Sequence, residues 1–153
     1  MDMMTFIKTV PQEQAEGLVQ DLYQAAGKNN GYVPNYVKAL SLHPEVYDAW
    51  TKLIGAIRSK MRMRRYELVT FASAMALECT YWMLAHGALL RKNFFSADQL
   101  AAIVRDFRNA GLPPEEVAVM SFAQKIITKP GQVNEGDFDE LRAFGFSDEE
   151  ILD

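Results

Sequence analysis

Residues 64–91 read RRYELVTFASAMALECTYWMLAHGALLR, and the way this stretch folds decides the architecture. It is apolar on nearly every side of a helix, so neighbouring elements or another subunit must bury it. The polar groups inside it are the ones that need a reason. Cys79 is the single cysteine of the chain, and His86 is one of two histidines. His86 follows Trp82 by four residues and Cys79 by seven, spacings that put all three on one helical face. Glu67, twelve residues before Cys79, is the third titratable group of interest.

Two foldings of this stretch are open. As one straight helix at about 1.5 Å per residue, it would hold Glu67 and Cys79 about 18 Å apart, facing different ways. If the chain breaks near Leu77–Glu78 and folds back, Cys79 enters the first turn of a second helix, the end that favours a thiolate. Glu67 then returns alongside His86 and can orient its imidazole. No Gly or Pro marks such a break.

Outward from this centre the chain reads as further helices. Toward the N-terminus, Ala15, Leu18, Val19, Leu22 and Ala26 recur at helical spacing, with Gly27 expected to supply the left-handed end. The loop Lys28–Tyr32 leads to Pro34 and a short stripe of Val33, Val37 and Leu40. His43 and Pro44 open a helix with Val46, Trp50, Leu53, Ile54 and Ile57 on one face. Residues 58–65, RSKMRMRR, hold five cations and read as a solvated helix end or junction.

Toward the C-terminus, Ser96 and Gln99 form a capping-box pair. Leu100, Ile103, Val104 and Phe107 follow as a buried stripe, closed by Gly111. A helix from Pro113–Pro114 turns Val119, Phe122, Ala123, Ile126 and Ile127 inward and stops at Pro130–Gly131. Asn134 and Asp137 open a short helix with Phe138 and Leu141 inward. Ser147 and Glu150 make a last capping box, followed by almost no helix. That end reads as a fraying terminus or as a chain shorter than the architecture it derives from. No stretch reads as a strand, so the fold class is all-α: a bundle of seven or eight helices around a central helical hairpin.

Length and composition fit one domain of 153 residues, with 49% hydrophobic and 24% charged residues. A net charge of −4 argues against nucleic acid and anionic membrane as partners. One cysteine excludes an internal disulfide and fits a reducing compartment. The opening MDMMTFIKTV lacks the apolar core of a secretory signal. No run reaches the ~18 apolar residues of a membrane span. The cytoplasm is the expected location. Two histidines and one cysteine spread along the chain give no ligand-spaced cluster, so no metal or other cofactor is expected.

Several segments resemble the alkylhydroperoxidase D-like and carboxymuconolactone decarboxylase superfamily. Gly31-Tyr32-Val33-Pro34-Asn35 is similar to its G-x-V-P-N segment, and His43-Pro44-Glu45 before a helix also fits. Arg65-Tyr66-Glu67-Leu68-Val69 resembles the R-x-E-L-v start of its core helix. Cys79-Thr80-Tyr81-Trp82 with Ala85-His86 resembles C-x-Y-C-x-x-A-H, and 145–151 resembles G-F-S-D-E-E-I. The resemblance implies an all-helical fold with a helical-hairpin core, in homo-oligomers. It also implies peroxide reduction or exchange with a dithiol carrier through two cysteines, with a Glu–His proton relay. By position Glu67 would be the relay acid, His86 the relay base and Cys79 the first motif cysteine. Tyr81 takes a variable place beside the site.

Trp82 stands where the second motif cysteine would be, which removes the dithiol cycle. Cys79 could still form a sulfenic acid, resolved by an external thiol. The carboxylate of the decarboxylase branch is also missing near Trp82, although Glu78 is close in sequence. The chain stops where the family's final helix would begin.

Three functions follow as alternatives. One is a single-cysteine peroxidase-type oxidoreductase using Cys79, His86 and Glu67. Another is a lyase or isomerase with His86 as general acid–base on a small carboxylated or lactone substrate. The third is a non-catalytic oligomeric relative whose site Trp82 has filled. Blander roles are also open: Cys79 as a buried hydrophobe, His86 bonded to a carbonyl, and Glu67 as a partner of Arg64 or Arg65.

Overall fold

The computed structural model describes residues 7–153, so the first six residues of the N-terminal lead-in lie outside the description. Among the described residues there are nine α-helices, four single-turn 3-10 helices and no strand. None of the helices is long and apolar enough to cross a membrane. The chain forms two compact units, up to Ile57 and from Arg58 onward.

In the first unit, α1 (Gly17–Asn30) is followed by α2 (Asn35–Ala39) and α3 (Pro44–Arg58), whose last residue belongs to the second unit. Its core gathers Ala15, Tyr23, Ala26, Val33, Val37 and Tyr47. Two polar ties hold the lead-in to this core: Tyr23 donates to the Val10 carbonyl at 2.7 Å, and the Val10 N–H donates to Ser41 Oγ at 2.9 Å.

The expected end of α1 moves by one turn. Gly27 stays helical, and Gly31 takes the left-handed conformation at φ +77°, its N–H bonded to the Gly27 carbonyl at 2.8 Å. Asn30 helps the helix continue past Gly27 by donating from its side chain to the Ala26 carbonyl at 2.9 Å. On α3 the amphipathic stripe is less buried than its pattern suggests. Tyr47 is buried, while Val46, Trp50 and Leu53 are exposed.

The second unit is built around α4 (Met63–Ala76), which packs against both α5 (Thr80–Asn93) and α7 (Pro114–Thr128). Between the latter two lies α6 (Ala97–Asp106), and α8 (Glu135–Ala143) and α9 (Asp148–Leu152) follow. Leu68, Phe71, Ala72, Leu90, Ile103, Phe107 and Met120 form the main core. Each large apolar side chain removed from water here stabilises the fold by roughly 2 kcal/mol. Gly87 lets α5 approach α4 closely: a Cβ at that position would lie 3.3 Å from the Phe71 ring.

Both expected capping boxes form, at Ser96/Gln99 and Ser147/Glu150, and the structure adds a third at Asn134/Asp137. The short α9 is held in place. Ile151 packs beside Phe146 and Leu141, and Arg65 bonds Glu150 at 2.8 Å while lying over the Phe146 ring. The Ser147 N–H and then the Arg65 guanidinium hold the Glu150 carboxyl below its ordinary range. Two stripes are rotated from expectation. Val104 and Ile126 are exposed, and Ala118 and Met120 are buried on α7 in addition to Ala123.

The central stretch breaks after Ala76. Glu78 adopts φ +51°, the left-handed region, without being glycine. Its N–H bonds the Met75 carbonyl at 3.1 Å, and the Cys79 N–H bonds the Ala74 carbonyl at 2.9 Å. This pair of bonds is the Schellman ending of a helix. Cys79 at once becomes the N-cap of α5, its carbonyl accepting from the Met83 N–H at 3.0 Å. One residue therefore closes one helix and opens the next, which reverses the chain without Gly or Pro.

Two stability predictions follow from these turns. Gly27→Ala, at a helical site with open space around the missing Cβ, should stabilise the protein by about 0.5–1 kcal/mol in urea unfolding. Destabilisation would mean that Gly27, and not Gly31, ends the helix. At the break, Glu78→Gly should add up to about 1 kcal/mol by relieving the left-handed residue, and Glu78→Val should cost at least about 1 kcal/mol.

Candidate active site

The reversal at Glu78–Cys79 lays α5 back along α4 and brings Glu67 and His86 together. His86 Nδ1 lies 2.7 Å from Glu67 Oε2. Glu67 is 0% exposed and His86 9%. A carboxylate removed from water needs a partner, and the imidazole supplies it. With Glu67 ionised and the imidazole neutral, Nδ1 is the donor and His86 Nε2 is left as an acceptor. The second carboxylate oxygen, Oε1, is buried without a hydrogen-bond partner.

Aromatic rings surround the imidazole. Trp82, one turn earlier on α5, lies with its ring centroid 5.5 Å from that of His86, the planes 32° apart. Tyr81 meets Trp82 edge-on at 5.2 Å. Tyr66, the residue before Glu67, presents its ring at 6.4 Å from His86. The place one turn before the imidazole, from which a side chain reaches it most directly, is thus filled by an indole.

Cys79 sits at the turn of the hairpin, as the N-cap of α5, and is partly exposed, so it is not a fully buried small hydrophobe. Its side chain makes no capping bond to α5. The structure brings Glu67, His86 and Trp82 together and places the Cys79 thiol one to two turns away along the same helix, about 10 Å by axial rise. Glu78 is exposed, and its structural role is the backbone reversal. Tyr81 is 37% exposed at the rim.

The arginines near Glu67 in sequence are engaged elsewhere. Arg64 forms a two-pronged bond with Glu116, at 2.6 and 2.8 Å, and lies over Phe95, while Arg65 takes Glu150. The cation that does approach Glu67 is Arg58, whose guanidinium lies 4.0 Å from Oε1 and over the Tyr66 ring at 4.8 Å. In the sequence Arg58 belongs to the basic run 58–65, whose expected place is a solvated helix end or junction. The available signal was that only residues 59–62 separate it from α4, which keeps it near the first turns of that helix.

Comparison with known proteins gives the same fold and places the family. Two crystal structures of peroxidase-related proteins are similar over nearly the whole chain. One, from Ralstonia eutropha JMP134 and described as an alkylhydroperoxidase AhpD core, is 25% identical with a TM-score of 0.77, covering 95% of this chain and 82% of its own. The other, from Silicibacter sp. TM1040, is 26% identical with a TM-score of 0.81, covering 97% and 83%. No functionally curated protein matches. Residues 44–125, which contain the Glu67–His86 hairpin, match the carboxymuconolactone decarboxylase family. The chain belongs to the carboxymuconolactone decarboxylase family.

Proposed function

We propose that the protein is a single-cysteine thiol oxidoreductase that reduces peroxides, with Cys79 as the oxidised group and Glu67–His86 as the proton relay. The observation that carries this reading is the buried 2.7 Å bond between Glu67 and His86. Such a pair fixes the imidazole and leaves one nitrogen free for proton transfer. Cys79 stands at the positive end of the α5 dipole, the end that favours an anion, and is open to solvent.

In the reaction the Cys79 thiol gives its proton to the bare His86 Nε2, directly or through water, and the thiolate attacks one peroxide oxygen as the O–O bond breaks. Cys79 becomes a sulfenic acid, and the departing alkoxide takes a proton from His86, directly or through water, to leave as the alcohol. Trp82 provides no second thiol, so an external thiol condenses with the sulfenic acid, releasing water and forming a mixed disulfide. A second external thiol then restores Cys79 and leaves as a disulfide. One peroxide and two thiols thus give one alcohol, one water and one disulfide.

A second reading makes His86 a general acid–base on a small carboxylated substrate, without the cysteine. It is favoured by the separation of Cys79 from His86 along α5, with Trp82 lying between them in sequence and against the imidazole. Both readings take the protein as a cytoplasmic homo-oligomer, which would bury the exposed Leu77 and Leu84 beside the site.

Treatment with an organic hydroperoxide, followed by sulfenic-acid trapping and mass spectrometry, should label Cys79. Removal of the imidazole in His86→Ala should slow labelling by about 10²-fold or more, the usual scale of a lost proton-transfer group. Equal labelling rates in wild type and His86→Ala would remove the relay from the mechanism. Turnover of a lactone or carboxylate that survives Cys79→Ser and disappears in His86→Ala would establish the second reading instead.

A further inference from the structure

The Glu67 carboxylate is only half satisfied. Oε2 engages His86, while Oε1 is buried with no hydrogen-bond partner. A buried anionic oxygen in that state needs a nearby positive charge. Arg58 supplies one, 4.0 Å away, with its side chain half exposed at the outer edge of the pair. The guanidinium is seated on Tyr66, whose ring also flanks His86. Among the described residues, the charged and titratable groups beside Glu67 are Arg58 at the end of α3, Tyr66 on α4 and His86 on α5. Arg64 and Arg65 are bonded to Glu116 of α7 and Glu150 of α9.

We propose that Arg58 is a positioning residue for the Glu67–His86 pair: its charge keeps Glu67 a carboxylate, holds the proton on His86 Nδ1, and so leaves Nε2 bare to accept a proton. Without that charge the pair takes up one proton more. That proton is placed on the imidazole and not on Oε1, where it would leave Nε2 bare; Nε2 then carries hydrogen and the acceptor is lost. Tyr66 has a part in this as the platform that aims the guanidinium at Oε1. The consequence for turnover rests on the relay reading, but the protonation of the imidazole does not.

The test is ¹⁵N NMR of the imidazole nitrogens in the full-length protein at pH 7, with the exposed His43 as an internal comparison. The wild type should show hydrogen on Nδ1 and a bare Nε2. Arg58→Gln should raise the share of the Nε2-protonated form, changing the ratio of the two forms about tenfold or more. Arg58→Lys, which keeps the charge, should retain the bare Nε2. Arg58→Ala serves as a second charge-removing variant should Arg58→Gln lose its cooperative thermal unfolding. A bare Nε2 in the charge-removing variants, a protonated Nε2 in the wild type, or a Lys variant that behaves like Gln would each overturn the assignment. A protein that forms no sulfenic acid yet shows this response would overturn the relay and leave Arg58 in its role.

Discussion

A carboxylate with no exposure to water must find a partner inside the protein, and Glu67 finds His86. That bond sets the register of the α4–α5 hairpin, because breaking it would leave a buried charge alone. The hairpin geometry in turn depends on two local features. The Schellman ending at Glu78–Cys79 reverses the chain in a single residue, and the absence of a side chain at Gly87 lets α5 lie against Phe71. Arg64 and Arg65 secure α4 from its other sides by binding Glu116 and Glu150, while their guanidinium planes cover Phe95 and Phe146. Polar bonding and apolar packing thus support the same arrangement.

The same bond frames the chemistry. An imidazole held at Nδ1 by a carboxylate is prepared for proton transfer at Nε2, whatever the substrate. The nearest helical position to that imidazole holds Trp82, and the Cys79 thiol lies about two turns away along the helix. The substitution of indole for thiol does not dismantle the Glu67–His86 pair. It narrows the approach to it and covers one face of the ring. Family membership and a conserved fold are thereby compatible with altered turnover, since a reaction belongs to a site and not to a fold.

Much of this was legible in the sequence. Helical spacing and the two capping boxes at Ser96/Gln99 and Ser147/Glu150 mark the helices, because those signals are local. The choice between a straight and a broken central helix was posed by the residues but not settled by them. A glutamate in the left-handed conformation leaves no mark of its own, and tertiary packing imposes it. Gly27 and Gly31 competed to end α1, and the side chain of Asn30 helped decide it. Which face of α6 and α7 is buried depends on neighbours that a helical period does not identify, so Val104 and Ile126 were misplaced. Arg58 was hidden in a basic run because its partner is made by the fold and not by the sequence spacing.

The central claim is that Glu67, through His86, governs the reactivity of the hairpin at Cys79. The rate of Cys79 alkylation across pH, compared between wild type and Glu67→Gln, tests it most directly. The account predicts faster alkylation in wild type than in Glu67→Gln at every pH where both proteins stay folded. Identical profiles in the two proteins would contradict it, leaving the buried pair as a structural bond with no hold on the thiol.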